Sequence, residues 1–340
     1  MSVGLCMITN KPDMCISTVQ TYRLQFDEVY ITVADKDKKA HHKILKHFME
    51  DEHIHVSFFK WKDDFAAARN YNLEQVKTDY WMWLDDDDTV ENIERLPEVI
   101  SYMQTNDLDL AYLRYDYDQN ELGDAISDHW RERIIRTRYQ AYWHAPVHET
   151  LQSKVPARLE RFDAITVKHK KELVDRQVSL ERNERILRKD WAKTKDPRDA
   201  LYLGSVAIVH KDYPQAIDWF LQHIKTAGSE EDKYRSWCRI ADCEWIQKRY
   251  EQALYATDEA IKLRPNFPDA YFIKVLIYTN TEAYDKGIEW LKVALSKPVP
   301  DTLAVIDPTL YTYRGMAMGA MCYLFSGRVK EAYRMYQAVV

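Results

Sequence analysis

The sequence predicts an α/β domain with a mostly parallel sheet, followed by an all-α domain of helical repeats. Three observations lead there. Short apolar runs alternate with helical stretches up to about residue 175, the pattern turns wholly helical beyond Arg176, and a spaced motif recurs in that second part. With 340 residues the chain is long enough for two domains that each fold without staples.

The first part reads in order. Strand-like segments at 3–8, 28–33, 54–59 and 80–84 are separated by helical stretches at 16–24, 37–49 and 65–76. Strands spaced by helices of that length describe βαβ units. We place this domain at 1–172 and the helical one at 175–340. In the second part Tyr213-x-x-Ala216 recurs as Tyr250-x-x-Ala253 and Tyr284-x-x-Gly287, at intervals of 37 and 34 residues. A period near 34 is the tetratricopeptide signature. The middle copy fits best, with Trp237, Ile240, Ala241, Ala253, Ala260 and Pro265 at the Trp, Leu, small, Ala, Ala and Pro positions. Leu203-Gly204, Ala207, Ala216 and Phe220 form the first copy, and Gly327-x-x-x-Glu331-Ala332-x-x-x-Tyr336 suggests a fourth. Solenoids normally end in a polar cap, so the last repeat is expected either to pack on a second subunit as a homodimer or to fray.

Composition narrows the class. Eight Gly and 11 Pro among 340 residues, with 46% hydrophobic and 30% charged, argue against disorder and against a loop-rich all-β fold. The five cysteines are odd in number and lack CxxC spacing, so they read as reduced thiols in a cytoplasmic protein. The segment 3–8 follows no basic, cleavable leader, and no run approaches the roughly 20 apolar residues of a membrane span. Neither secretion nor membrane insertion is expected. The net charge of −6 is uneven: the first 170 residues hold 22 Lys+Arg against 30 Asp+Glu. Residues 168–195 hold 10 basic against 5 acidic, a face that could touch a polyanion or carry mixed charges on a helix.

The acidic half contains Asp85-Asp86-Asp87-Asp88 directly after the apolar Tyr80-Trp81-Met82-Trp83-Leu84. A buried strand ending in carboxylates puts hard oxygen ligands at the mouth of a sheet. That reads as a divalent-metal site for a phosphorylated substrate, against the alternative of a solvated acidic loop. Four adjacent aspartates repel strongly without a cation. Gly-x-Gly-x-x-Gly, Gly-x-x-x-x-Gly-Lys-Ser/Thr and Gly-x-Ser-x-Gly are all missing, which removes dinucleotide oxidoreductases, P-loop nucleotidases and ordinary hydrolases. A metal nuclease would leave the neighbouring motifs unexplained.

Those motifs are Phe65-Ala66-Ala67-Ala68-Arg69-Asn70 upstream of the aspartates, Cys6-Met7-Ile8-Thr9-Asn10-Lys11 at the start and Val147-His148-Glu149 downstream. Together they closely resemble family 2 glycosyltransferases of the GT-A fold, a Rossmann-like, mixed but mostly parallel sheet. More narrowly, they resemble the subgroup in which tetratricopeptide repeats follow the transferase domain, as in bacterial peptide S-glycosyltransferases. The resemblance spans essentially the whole chain. It implies a metal-dependent, inverting transfer from a UDP-sugar to a hydroxyl or thiol.

The same resemblance implies roles for particular residues. Thr9, Asp35, Lys60, Arg69, Asp85 and Asp86 fall on the donor side. Asp35 would take the uracil or ribose, Arg69 the diphosphate or the aspartate loop, and Asp85 the ribose, with Asp86 in the variable slot of Asp-x-Asp. Bland readings stand beside them: Thr9 as a turn or cap residue, Arg69 in a structural ion pair, Trp61 as core. Asp37 reads as a helix-starting residue. Asp87 and His169 would hold Mn²⁺ or Mg²⁺, the imidazole suiting Mn²⁺ better, although His169 lies among lysines. Glu149 is the expected base and His148 its competitor, unless Glu149 pairs structurally with Arg133 or Arg136. The acceptor stays open between a peptide or protein held by the repeats, a saccharide and a hydroxymethylated DNA base. A repeat-based interaction protein with an inactive transferase domain is the alternative.

Overall fold

The structure is a computed structural model that describes residues 1–121, 125–169 and 176–337. The chain divides into two compact units: Met1–Arg176 with Thr302–Val305, and Gln177–Asp301 with Ile306–Val340. The expected domain boundary at 172–175 lies outside the described residues.

The first unit is built on one eight-stranded sheet and a two-stranded ribbon. Its strands are β1 (Val3–Thr9), β2 (Glu28–Asp35), β3 (Ile54–Lys60), β4 (Tyr80–Trp83), β5 (Asp88–Glu91), β6 (Leu110–Gln119), β7 (Ala125–Arg136) and β10 (Leu159–His169), in the order β3-β2-β1-β4-β7-β6-β10-β5. β8 (Tyr142–His144) and β9 (Thr150–Gln152) form the ribbon. Helices α1 (Pro12–Tyr22), α2 (Lys39–His47), α3 (Phe65–Leu73) and α4 (Leu96–Thr105) complete the unit. β3, β2, β1 and β4 run parallel, as do β6 and β10. β7 is antiparallel to both β4 and β6, which makes the sheet mixed.

Strand alternation sends side chains to two buried faces. Leu5, Met7, Ile31, Val33, Tyr80, Met82 and Leu84 enter the larger cluster. Cys6, Tyr30, Trp81, Trp83 and Ile135 enter a second one with Ala66 and Trp143. A strand covered on both sides has no polar alternation, hence the unbroken apolar run at 80–84.

Element ends differ from the sequence reading where local chemistry intervenes. α1 begins at Pro12 and not near residue 16, since proline is preorganised for a first helical turn. α2 starts two residues after Asp37, whose Oδ1 accepts from Lys39 N at 2.8 Å. α3 stops at Leu73, three residues before the expected 76, and Lys77 N then donates to Tyr30 Oη at 3.1 Å on the way into β4.

The second unit consists of α5 (Arg176–Thr194), α6 (Pro197–Val209), α7 (Tyr213–Thr226), α8 (Glu230–Ile246), α9 (Tyr250–Leu263), α10 (Asp269–Asn280), α11 (Tyr284–Leu295), α12 (Tyr313–Phe325) and α13 (Val329–Gln337). Ala216, Ala253 and Gly287, the recurring small residues, are buried. A Cβ on Gly204 would come within 2.7 Å of the Phe220 ring, which explains the glycine of the first copy. The fourth copy is helical, but Ala332 follows Gly287 by 45 residues, because residues 296–312 intervene between α11 and α12. No helix among the described residues is long and apolar enough to cross a membrane. All five cysteines are buried thiols.

Four hairpins, α6/α7, α8/α9, α10/α11 and α12/α13, share one turn. Asp212, Arg249, Ala283 and Arg328 each return a backbone N–H to the carbonyl five residues back, at 2.9 Å. The residue before each is left-handed: Lys211 (φ 59°), Lys248 (φ 60°), Glu282 (φ 59°) and Gly327 (φ 78°). This is the Schellman helix end, which favours glycine. Replacing Lys248 or Glu282 by Gly is therefore expected to raise stability by roughly 0.5–1 kcal/mol each, and Gly327→Ala to lower it by about 1 kcal/mol. Thermal melts of the full chain check the signs, and a glycine that lowers Tm at either position contradicts the account.

Candidate active site

The aspartate run is a tight turn at the end of β4, and it gives each carboxylate a different setting. Asp88 N donates to Asp85 O at 3.1 Å and Asp85 N donates to Asp88 Oδ2 at 3.1 Å. Asp85 Oδ1 accepts from Arg69 Nη2 at 2.7 Å. Burial works against its ionised form, but the guanidinium groups of Arg69 and Arg133 outweigh it and hold the carboxyl below its usual range. Asp86 Oδ2 accepts from Thr9 Oγ1 at 2.5 Å. Burial, then the charges of Asp87 and Asp85, push Asp86 up to about 7 against the opposing Thr9 hydrogen bond. Asp87 faces His169, and Asp88 is sealed inside.

Arg69 joins the upstream and downstream motifs. Asp64 caps α3 by accepting from Ala67 N at 2.8 Å, and Arg69 lies one turn further along. Its Nε donates to Glu149 Oε1 at 2.6 Å while Nη2 serves Asp85. The guanidinium sits 4.6 Å from the Trp83 ring centroid and 5.1 Å from that of Trp143. Asn70 exchanges two hydrogen bonds with the Trp143 backbone, at 2.9 and 2.7 Å, and Phe65 N donates to Pro146 O at 2.8 Å. The Ala-Arg-Asn segment thus fixes the loop that carries Val147-His148-Glu149. Ala145 (φ 74°) and His148 (φ 53°) take left-handed backbone there, conformations that persist only where surroundings enforce them. The expected alternative partners of Glu149 are otherwise engaged: Arg133 pairs with Asp88 at 3.0 Å and Arg136 with Asp107 at 2.6 Å. The ion pair of Glu149 is with Arg69, because α3 and not β7 faces this loop.

His169 ends β10 directly opposite Asp88, the first residue of β5. Its Nδ1 lies 3.4 Å from Asp87 Oδ1 and 3.7 Å from Asp88 Oδ1, and this buried atom makes no hydrogen bond. Its ring stacks on Tyr117 at 5.2 Å and 7°. Burial would lower the imidazole pKa, but Asp87 and Asp88 more than reverse this and push it up to about 10. Asp87, Asp88 and His169 offer three ligand atoms within 4.8 Å of one another. An imidazole nitrogen and two carboxylate oxygens so gathered, with the nitrogen otherwise unsatisfied, fit one divalent cation.

The remaining expected donor residues share the sheet edge and do not join this cluster. Asp35 and Lys60 sit in register at the ends of β2 and β3. Asp35 Oδ1 accepts from Lys36 N at 2.6 Å, and Lys60 is exposed. Trp61 packs on Phe65 at 4.7 Å and donates to Asp63 at 3.1 Å. Two residues escaped the sequence reading. Asp88 was hidden in the acidic run, where nothing marks that a buried strand begins inside it. Arg133 was legible only as one of the four charged residues of Arg131-Glu132-Arg133-Ile134-Ile135-Arg136, offered as a partner for Glu149, and its true partner was not.

Two measurements follow from these contacts. Arg69→Met strands two carboxylates, so a loss of about 3–5 kcal/mol is expected, and adding Glu149→Gln should recover part of it. A double variant no more stable than the single would show that Arg69 does not balance Glu149. With EDTA present, His169 has a folded pKa above its unfolded value, so its stabilisation is full below about pH 6.5 and vanishes as pH rises through about 10. His169→Gln should accordingly cost roughly 2–4 kcal/mol near pH 6 and little beyond pH 10; urea melts across that range test it, and a pH-independent loss would contradict it.

Comparison with known proteins adds to this geometry. Residues 10–162 match the model of the family described as Glycosyl transferase family 2. No curated protein matches the chain. Among solved structures, the chain is similar to MamA from Desulfovibrio magneticus RS-1, at 22% identity over 48% of this chain and 85% of that one, TM-score 0.39. It is also similar to pilF of Pseudomonas aeruginosa, at 13% identity over 47% and 67%, TM-score 0.38. A thermophilic TPR protein of Thermus thermophilus matches at 20% identity over 48% and 80%, TM-score 0.37. Residues 10–162 are thus similar to glycosyl transferase family 2, and a series of helical hairpins follows them.

Proposed function

We propose that this protein is a metal-dependent, inverting glycosyltransferase that moves a sugar from a UDP-sugar to a hydroxyl or thiol. The transferase domain would span 1–172 and the repeat domain 175–340. One observation carries the reading: a single sheet edge, in the unit whose residues 10–162 match family 2, gathers Arg69, Asp85 to Asp88, Glu149 and His169.

Asp87 and His169, with Asp88 beside them, would hold Mn²⁺ or Mg²⁺, the imidazole favouring Mn²⁺. Such a cation supplies positive charge to the departing diphosphate. Thr9, Asp35, Lys60, Asp85 and Asp86 line the edge along which the UDP moiety lies, at the C-terminal ends of parallel strands. Arg69 orients Asp85 and Glu149 together. Glu149 takes the acceptor proton as the acceptor oxygen or sulfur bonds to the anomeric carbon and the carbon–oxygen bond to the diphosphate breaks; His148, next to it, is the competing base. One displacement from the opposite face inverts the anomeric centre.

For the acceptor, stacked helical hairpins favour a peptide or protein over a saccharide or modified DNA base. The basic stretch of 168–195 supports DNA weakly, as Lys168 pairs with Glu91 at 2.8 Å and Arg188 with Glu184 at 2.8 Å. Exposed Leu324, Phe325, Val329 and Tyr333 on the last hairpin favour self-association.

Release of UDP from a panel of UDP-sugars with Mn²⁺, and mass spectrometry of peptide, glycan and modified-DNA acceptors, test the reading. Asp87→Ala should lower turnover by about 100-fold or more, whereas Asp86→Asn should stay within about fivefold, because Asp86 hydrogen-bonds Thr9 and does not join Asp87, Asp88 and His169. Equal losses at the two positions refute the division of roles, and no UDP release with any donor refutes the enzyme.

A further inference from the structure

Behind the aspartate turn lies an arginine that no transfer step uses. Arg133, on β7, is fully buried, as is the Asp88 carboxylate it meets. Register brings it there, since Ile134 pairs with Met82 and the next residue falls beside Trp83. Its Nη1 reaches Asp88 Oδ2 at 3.0 Å and the Trp83 carbonyl at 3.1 Å. The guanidinium carbon is 3.8 Å from the Trp83 ring centroid and 4.3 Å from that of Tyr115. Nε and Nη2 find no hydrogen-bond acceptor. Tyr115 in turn donates its hydroxyl to Asp88 Oδ1 at 3.1 Å.

A buried ion pair with unfilled donors is a poor source of stability, so what it contributes is geometry. Asp88 Oδ2 takes both Arg133 and Asp85 N, which closes the turn from Asp85 to Asp88. Its Oδ1 is thereby presented to His169 Nδ1, 3.7 Å away. Resting on the reading of this site as a metal-dependent transferase centre, we infer that Arg133 is a positioning residue: acting through Asp88, and supported by Tyr115, it sets the spacing of Asp87 and His169 for the cation. A planar, delocalised cation suits a position over both rings. Lysine can supply the charge but not a flat fork that reaches Asp88 and a carbonyl from over the rings. With the clamp gone, the cation must order the turn itself, and outer-shell losses of this kind weaken metal binding.

The test uses the full chain, Mn²⁺ as the probe and its electron paramagnetic resonance signal as the measure of binding, with UDP affinity taken at saturating Mn²⁺. Arg133→Met is expected to weaken Mn²⁺ binding by about 10–100-fold and Arg133→Lys by less, while UDP affinity at saturating Mn²⁺ changes by no more than about threefold. Tyr115→Phe, which removes one hydrogen bond and little volume, should weaken Mn²⁺ by about three- to tenfold. A purely structural role would lower Tm and leave the Mn²⁺ affinity of the folded protein unchanged. Folded variants that all bind Mn²⁺ within about twofold of the parent overturn the inference, and Tyr115→Phe alone decides if the Arg133 variants do not fold. A parent protein that binds neither Mn²⁺ nor UDP sinks the transferase reading and this inference with it.

Discussion

Four consecutive carboxylates at the end of a buried strand must be held apart or neutralised, and the first unit is arranged around that constraint. Two unit charges 4 Å apart in surroundings of effective dielectric 20 interact by about 4 kcal/mol. The fold answers with three cations from three separate elements: Arg69 from α3, Arg133 from β7 and His169 from β10. None is close to the aspartates in sequence. The cluster forms only once the sheet is assembled, and it couples the site to the whole of the domain.

The mixed sheet meets the same need. An antiparallel β7 beside β4 runs past the turn from the opposite direction, which puts a side chain of its own behind the aspartates. Antiparallel pairing of β10 with β5 then brings His169 across from Asp88. The parallel strands position what comes at their C-terminal ends, Thr9, Asp35, Lys60 and the aspartates, whereas the antiparallel ones bring in counter-charges from the far half of the domain.

The periodic features were legible in the sequence. Strands at 3–8, 28–33, 54–59 and 80–84 lie within strands of the structure or overrun them by a single residue, since β-branched and aromatic runs between helical stretches leave few alternatives. The repeat of Ala216, Ala253 and Gly287 marks buried positions on second helices, and at Gly287 an added Cβ would come within 2.7 Å of Cys322 Sγ. Pairings were not legible. Glu149 could be assigned a charged partner but not the right one, because its choice among Arg69, Arg133 and Arg136 depends on which element faces its loop. Asp88 has the same identity as its three neighbours, and its burial comes from a four-residue strand too short to leave a pattern.

Arg69 shows why those pairings matter beyond stability. Two of its nitrogens hold carboxylates from different segments, Asp85 in the aspartate turn and Glu149 in the loop after β8, while the Trp83 and Trp143 rings lie 4.6 and 5.1 Å away. A planar guanidinium gripped in this way has little freedom to follow one partner without leaving the other. Any shift of the aspartate turn is therefore passed to Glu149, and any shift of the loop at 145–149 is passed back to Asp85. The strained Ala145 and His148 lie within that loop, so the energy stored in its backbone bears on a carboxylate whose position is set from the other side of the sheet edge.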